Sequence, residues 1–181
     1  MYNITDMNIK ILPYNNIWLQ QYQKESSAIE KLLGNILISI YHIGSTAVDG
    51  LMARPIIDIL ILVADINLLD EKEDALEQYA YTGLGEFGVS GRRVYRKGYP
   101  DITYQIFAFD IFSNDKVIGY LALRDYLKEH KEICSFYSSL KAALIKEFGD
   151  NLEAYNAGKD AFLQDLAPKA LEWYMRKFAV K

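Results

Sequence analysis

At 181 residues, with 51% hydrophobic and 24% charged positions, the chain is long enough to bury a real core and too apolar to be disordered, which fits one domain of ordinary size. A formal net charge of -4 excludes general attraction to nucleic acid and leaves room only for a local basic patch, while a single cysteine, Cys134, excludes an intramolecular disulfide and a cysteine-rich zinc site. No apolar run approaches the roughly 20 residues of a membrane span and the N-terminus lacks a signal-peptide pattern, so no membrane contact and a cytoplasmic location are expected.

Asn8 to Leu12 has the alternation of a short strand, and Pro13 precedes a helical pattern from about Ile17 to Leu33, with Gly34 as its stop. Ile36 to His42, rich in isoleucine, reads as a buried strand. Pro55 opens a second, Ile56 to Val63, which carries one acidic residue, Asp58. An ionised carboxylate buried without a partner costs several kcal/mol, so Asp58 must face a cation, a donor or a cleft. That makes it the first candidate for function.

Ile66 to Tyr79, with the acidic cluster Asp70, Glu71, Glu73 and Asp74, suits a solvated surface helix rather than a metal site. Gly83, Gly85, Gly88 and Gly91 punctuate turns without the spacing of a phosphate-binding loop. Arg92, Arg93, Arg96 and Lys97 then form a compact basic ribbon, expected to pair with Ile102 to Phe112 as a hairpin. In that second strand Thr103, Gln105, Phe107 and Phe109 share one face, and Tyr104, Ile106, Ala108 and Asp110 the other. A basic ribbon across from Asp58 suits a polyanion; a solvated hairpin with charged edge residues fits the same spacing.

From Val117 onward the period is helical, over Val117 to Glu129, Lys131 to Phe148 and Leu152 to Lys177. Gly149, Asp150 and Asn151 break the last two, and Pro168 should kink or split the final helix. Cys134 falls on an apolar helical stripe, the place of a small buried thiol. The expectation is an α+β chain, with a mixed sheet and flanking helices over residues 1–115 and a helical region, 116–181, packed on it as one unit.

Gly44 and Ser45 lie directly after a strand, where free backbone N–H groups and a serine hydroxyl make an anion cradle. With a strand carboxylate thirteen residues later, at Asp58, this is the arrangement that binds a nucleoside triphosphate and its magnesium. Two roles fit His42 equally: donating to a phosphate, or bonding the loop to hold its shape. For Arg124, beside Asp125 on a helix, a structural ion pair is the first expectation and a place on a ligand's anionic group the second.

The run His42 to Val48 (H-I-G-S-T-A-V), Gly50-Leu51 and Arg54 to Asp58 (R-P-I-I-D) resembles the signature of the GrpB family, as do Gly91 to Gly98, Leu123 to Leu127 and Tyr137 to Lys141. The resemblance covers nearly the whole chain and implies a nucleotidyltransferase-like fold. It further implies a nucleotide or phosphorylated ligand held by His42, Gly44, Ser45, Thr46, Arg54, Arg92, Arg93, Gln105 and Arg124, with Asp58 catalytic and ligating magnesium. Against the family pattern, Asp49 stands for a proline, Arg54 for a lysine and Gln105 for a histidine. Leu60 stands where the fold usually has a second metal-binding aspartate. Two classes of function therefore stay open, a magnesium-dependent nucleotidyltransferase and an inactive anion-binding regulatory module. An interaction protein relying on its helical half is a third.

Overall fold

The computed structural model describes residues 10–98, 100–149 and 151–178. Helix α1 (Ile17–Leu33) leads through a 3-10 turn into β1 (Leu37–Ile43), and β2 (Ile57–Val63) follows the Gly44 loop. Two short helices, α2 (Ile66–Asp70) and α3 (Glu73–Gln78), precede β3 (Tyr81–Gly83), β4 (Arg93–Lys97) and β5 (Tyr104–Asp110). Helices α4 (Asn114–Glu129), α5 (Lys131–Phe148) and α6 (Leu152–Phe178) complete the chain. The five strands form one mixed sheet in the order β1-β2-β5-β4-β3, with β2 and β5 parallel and every other pair antiparallel. The α+β architecture and the hairpin expected from the basic ribbon are both present.

Strand alternation sends the two faces of the sheet to different cores. Ile57, Ile59, Ile61 and Val63 of β2 pack with Trp18, Ile29 and Leu33 of α1. Leu60 and Leu62 turn the other way, toward Ile43, Phe109 and the α4 residues Val117 and Leu121. A third cluster joins Val48 and Leu51 of the β1–β2 connection to Leu127, Cys134, Tyr137 and Leu166 of the three C-terminal helices. Each fully buried side chain of this size contributes about 1.5–3 kcal/mol, so the helices are anchored both on the sheet and on the Gly44 loop segment.

Several elements differ from the sequence expectations. β1 is one of the sheet's two edges and is only partly buried, with Ile38 53% exposed, because no strand of the described residues lies beyond it. Ile36 belongs to the 3-10 turn before it. The acidic stretch Ile66 to Tyr79 divides into two short helices, and Asp65 caps the first by accepting from Asn67 N–H at 2.8 Å. Helix α6 runs on through Pro168, whose missing N–H deprives the Gln164 carbonyl of its helical donor. Of the expected N-terminal strand, Asn8 and Ile9 lie outside the described residues; Leu12 makes a two-way backbone bridge to Ala53. In the expected break between α5 and α6, Asp150 lies outside them too.

Candidate functional site

Asp58 sits opposite Ile43 in the β1–β2 register and beside Gln105 in the parallel β2–β5 pair. Both neighbours point to the face covered by the C-terminal helices. Gln105 Nε2 donates to Asp58 Oδ1 at 3.3 Å, and Gln105 Oε1 accepts from Arg96 Nε at 2.6 Å. Arg96 reaches Gln105 because the two are partners in the β4–β5 register. The loop closes in from the other side: Gly44 has φ +70°, and a Cβ there would stand 2.3 Å from Asp58 Oδ2. Its ψ of -170° completes a conformation open essentially to glycine alone, so this residue type is what lets the loop abut the carboxylate.

Cations surround this one acid. Arg54 from the β1–β2 connection, Arg96 from β4 and Lys159 from α6 all act on Asp58 electrostatically. None of the three forms a salt bridge among the described residues. Burial pushes Asp58 up to about 6, although Arg54, Lys159, Gln105 and Arg96 pull it down. Burial likewise lowers Lys159 and Arg96, and Arg54 repels both.

Lys141, on the buried stripe of α5 with Cys134, Tyr137 and Leu144, donates to Ser45 Oγ at 3.0 Å and to the Met52 carbonyl. Burial, with Lys159 next, brings its ammonium down to about 7. It tethers the Gly44 loop to the helices, and Ser45 is its contact with the site.

The remaining expected ligands lie elsewhere. His42 faces α1, the opposite side of the sheet from Asp58, with its ring stacked on Tyr22 at 4.6 Å. Its Nε2 lies 3.0 Å from Thr46 Oγ1, whose own hydroxyl donates to the Ile56 carbonyl at 3.2 Å. Thr46 must then accept from Nε2–H, which makes His42 the neutral ε tautomer. Burial, helped by Lys128 and Arg124, lowers it to about 4. The bond to Thr46 is the contact that the loop-shaping one of its two expected roles calls for.

Arg124 forks onto Asp125 at 2.6 and 2.9 Å and donates to the His42 carbonyl at 3.1 Å, so it too is engaged. A separate cleft of about 530 Å³, lined by Tyr22, His42, Thr46, Asp49, Arg124 and Lys128 among others, lies on that side of the molecule. The cation it shares with the sequence motif, Arg124, is already paired.

In the basic ribbon the structure selects differently from the sequence. Arg93 projects to the α1 face and holds Asp70 through two contacts of 2.7 Å. Arg92 is buried and spends its donors on the Glu86 and Phe87 carbonyls and the Tyr120 hydroxyl. Neither is free for a ligand. Arg96 is the ribbon residue that lies on the Asp58 face, and strand alternation once the β4–β5 register is known was the signal for it. Lys141 could be read as a charge inside an apolar helical stripe; nothing local marks Lys159.

The two-metal centre that the nucleotidyltransferase fold implies has no matching donor set. Among the described residues no group of three or more His, Cys, Asp or Glu could hold a metal ion. Asp110 instead caps the turn after β5 by accepting from Phe112 N–H at 3.1 Å, and Asp49 lines the other cleft. One carboxylate together with a ligand's phosphate oxygens is still a donor set that a single magnesium accepts.

A family model described as GrpB protein matches residues 8–169. The chain belongs to the GrpB family. Among curated GrpB-family relatives, the UPF0157 protein YqkA of Bacillus subtilis is 32% identical over 91% of this chain, and this chain spans only 48% of YqkA's length. The UPF0157 protein PA4798 of Pseudomonas aeruginosa is also 32% identical, over 93% of this chain and 70% of its own. The crystal structure of the conserved protein GrpB from Enterococcus faecalis shares the fold at a TM-score of 0.88 and 34% identity, covering 91% of this chain and 99% of that one. No helix of the described residues is long and apolar enough to cross a membrane.

Proposed function

We propose that this chain binds the phosphate groups of a nucleotide or other phosphorylated small molecule at Asp58, between the sheet face and the C-terminal helices. The observation that carries this reading is the trio Arg54, Arg96 and Lys159, three half-buried cations with no acidic partner around a single carboxylate. Half-buried cations left unpaired lose hydration without recovering it, and a bound anion restores the balance. The Gly44 loop, pressed against Asp58 and tied to Lys141 through Ser45, supports the same place for the anion.

Nucleotidyl transfer is a second reading, favoured by the contact of that loop with Asp58. In it a single magnesium would join Asp58 to the ligand's phosphates. The lone carboxylate favours binding over two-metal chemistry, which needs several anionic ligands for its pair of cations.

A thermal-shift experiment with inorganic tripolyphosphate and with nucleoside triphosphates, each with and without magnesium, tests both. A ligand at 100 times its Kd should stabilise the fold by about 2.7 kcal/mol. Lys159→Gln should lose most of that gain. Asp58→Asn should bind anions at least as well as the wild type without magnesium and lose any magnesium-dependent increment. No stabilisation by any phosphorylated probe would sink the binding reading; pyrophosphate release undiminished in Asp58→Asn would sink the transfer reading.

A further inference from the structure

Phe87 is an exposed aromatic residue, 53% accessible, with φ 47°. Single exposed aromatics are ordinary on protein surfaces, but a bulky residue at positive φ is not. The surrounding contacts hold it there. Arg92, itself buried, donates to the carbonyls of both Glu86 and Phe87. Glu86 Oε1 accepts from Gly91 N–H at 2.7 Å, and Lys116 Nζ reaches the Ser90 carbonyl at 2.6 Å. Glycines 85, 88 and 91, all at positive φ, let the segment turn tightly enough to make these bonds. The loop is therefore fixed in shape and presents one ring to solvent.

That ring lies over the guanidinium of Arg96, 4.8 Å from its centroid. Arg96 in turn bonds Gln105, which bonds Asp58. Only Nε of Arg96 has a partner among the described residues, so its terminal N–H groups stay available beside the ring. An open aromatic face and unspent phosphate donors thus share one side chain between them. A ligand with charge at one end and a flat apolar group at the other would satisfy both.

We infer that Phe87 is the stacking platform for a planar aromatic group on the ligand of the Asp58 site, so that the ligand is a nucleotide or an aryl phosphate rather than a sugar phosphate or a polyphosphate. This rests on the phosphate-binding reading above and adds the other half of the ligand. Base-on-aromatic stacking tolerates any base, because every base has a π face, so the platform recognises the class of ligand without choosing among its members. Arg92 then acts as a positioning residue for Phe87.

Titration calorimetry of the wild type, Phe87→Ala and Phe87→Trp, with ribonucleoside triphosphates and with inorganic tripolyphosphate, separates the two parts of the argument. The wild type should bind nucleotides more tightly than tripolyphosphate. Phe87→Ala should weaken nucleotide binding on the order of tenfold, the scale of one lost aromatic stack, leave tripolyphosphate unchanged, and keep the wild-type melting temperature. Phe87→Trp should retain nucleotide affinity. Nucleotide binding unaffected by Phe87→Ala, or no tighter than tripolyphosphate binding in the wild type, would overturn the platform and leave the phosphate site standing. A wild type that binds neither probe overturns both.

Discussion

Asp58 is a residue that the fold holds at a cost. An acid whose proton is favoured by burial destabilises the native state once it ionises, and Asp58 is raised from 3.8 to about 6. At pH 7.5 the side chain is charged in both folded and unfolded chains, so the whole penalty is felt. Asp58→Asn, which can keep the bond from Gln105, should therefore raise the stability of the unliganded protein by about 1–2 kcal/mol at that pH, read by chemical denaturation. A loss of stability in that variant would mean that Arg54, Arg96 and Lys159 already compensate the charge, and that no anion is wanted. The expected gain in stability would mark Asp58 as held for a ligand rather than for the fold.

Strand β4 places three cations, Arg93, Arg96 and Lys97, by strict alternation, and their fates follow from which way each points. Arg93 belongs to the α1 face and to Asp70; Arg96 belongs to the opposite face and to Gln105. Arg93→Gln should leave anion affinity within about twofold, and lower stability by no more than ~1 kcal/mol since its ion pair is partly exposed. Arg96→Gln should weaken tripolyphosphate binding tenfold or more, the scale of one charge-assisted bond. Equal effects from the two would contradict the assignment of faces.

The sequence made the hairpin and the face of Gln105 legible, because a two-residue period needs only the order of the residues. It pointed to Arg92 and Arg93 rather than Arg96 because the phase of that period depends on the register with β5, a pairing across the chain. It flagged the Gly44 loop and Asp58 together, since both lie within one strand-loop-strand unit. Lys159 was invisible for a plainer reason: it reaches Asp58 only because α6 packs back across the sheet, a hundred residues downstream. Of the two outcomes expected at Pro168, a kink or a split, the split is absent, because α6 continues through the proline where it packs on the other helices.

On the scale of the whole molecule, two buried groups on opposite faces of the sheet titrate in opposing directions. Asp58 gives the folded protein the greater proton affinity between about pH 4 and 6, so its contribution to stability falls as pH rises through that window. His42, lowered from 6.5 to about 4, refuses the proton that the unfolded chain accepts, so its contribution falls as pH drops from 6.5 toward 4. The two slopes offset each other in the wild type. Removing Asp58 leaves the His42 slope alone. Calorimetric melting temperatures should therefore fall more steeply on acidification from pH 6.5 to 4 in Asp58→Asn than in the wild type, the two proteins converging near pH 4; parallel curves would refute it.

The overall charge of -4 sharpens the local picture, because Arg54, Arg96 and Lys159 gather around one acid in a protein that is otherwise net negative. On the phosphate-binding proposal, such a spot would favour small anions over large polyanions, which the net negative charge of the whole chain opposes.

The edge strand β1 carries one more consequence. Tyr22 donates to the Ile40 carbonyl at 3.3 Å and Arg124 to the His42 carbonyl at 3.1 Å, one from the helix on each face of the sheet. An uncovered edge with an exposed isoleucine at position 38 is a template on which a strand of a neighbouring molecule can polymerise. These two side chains occupy acceptors that such a strand would need. Arg124, besides its ion pair with Asp125, thereby covers part of that edge.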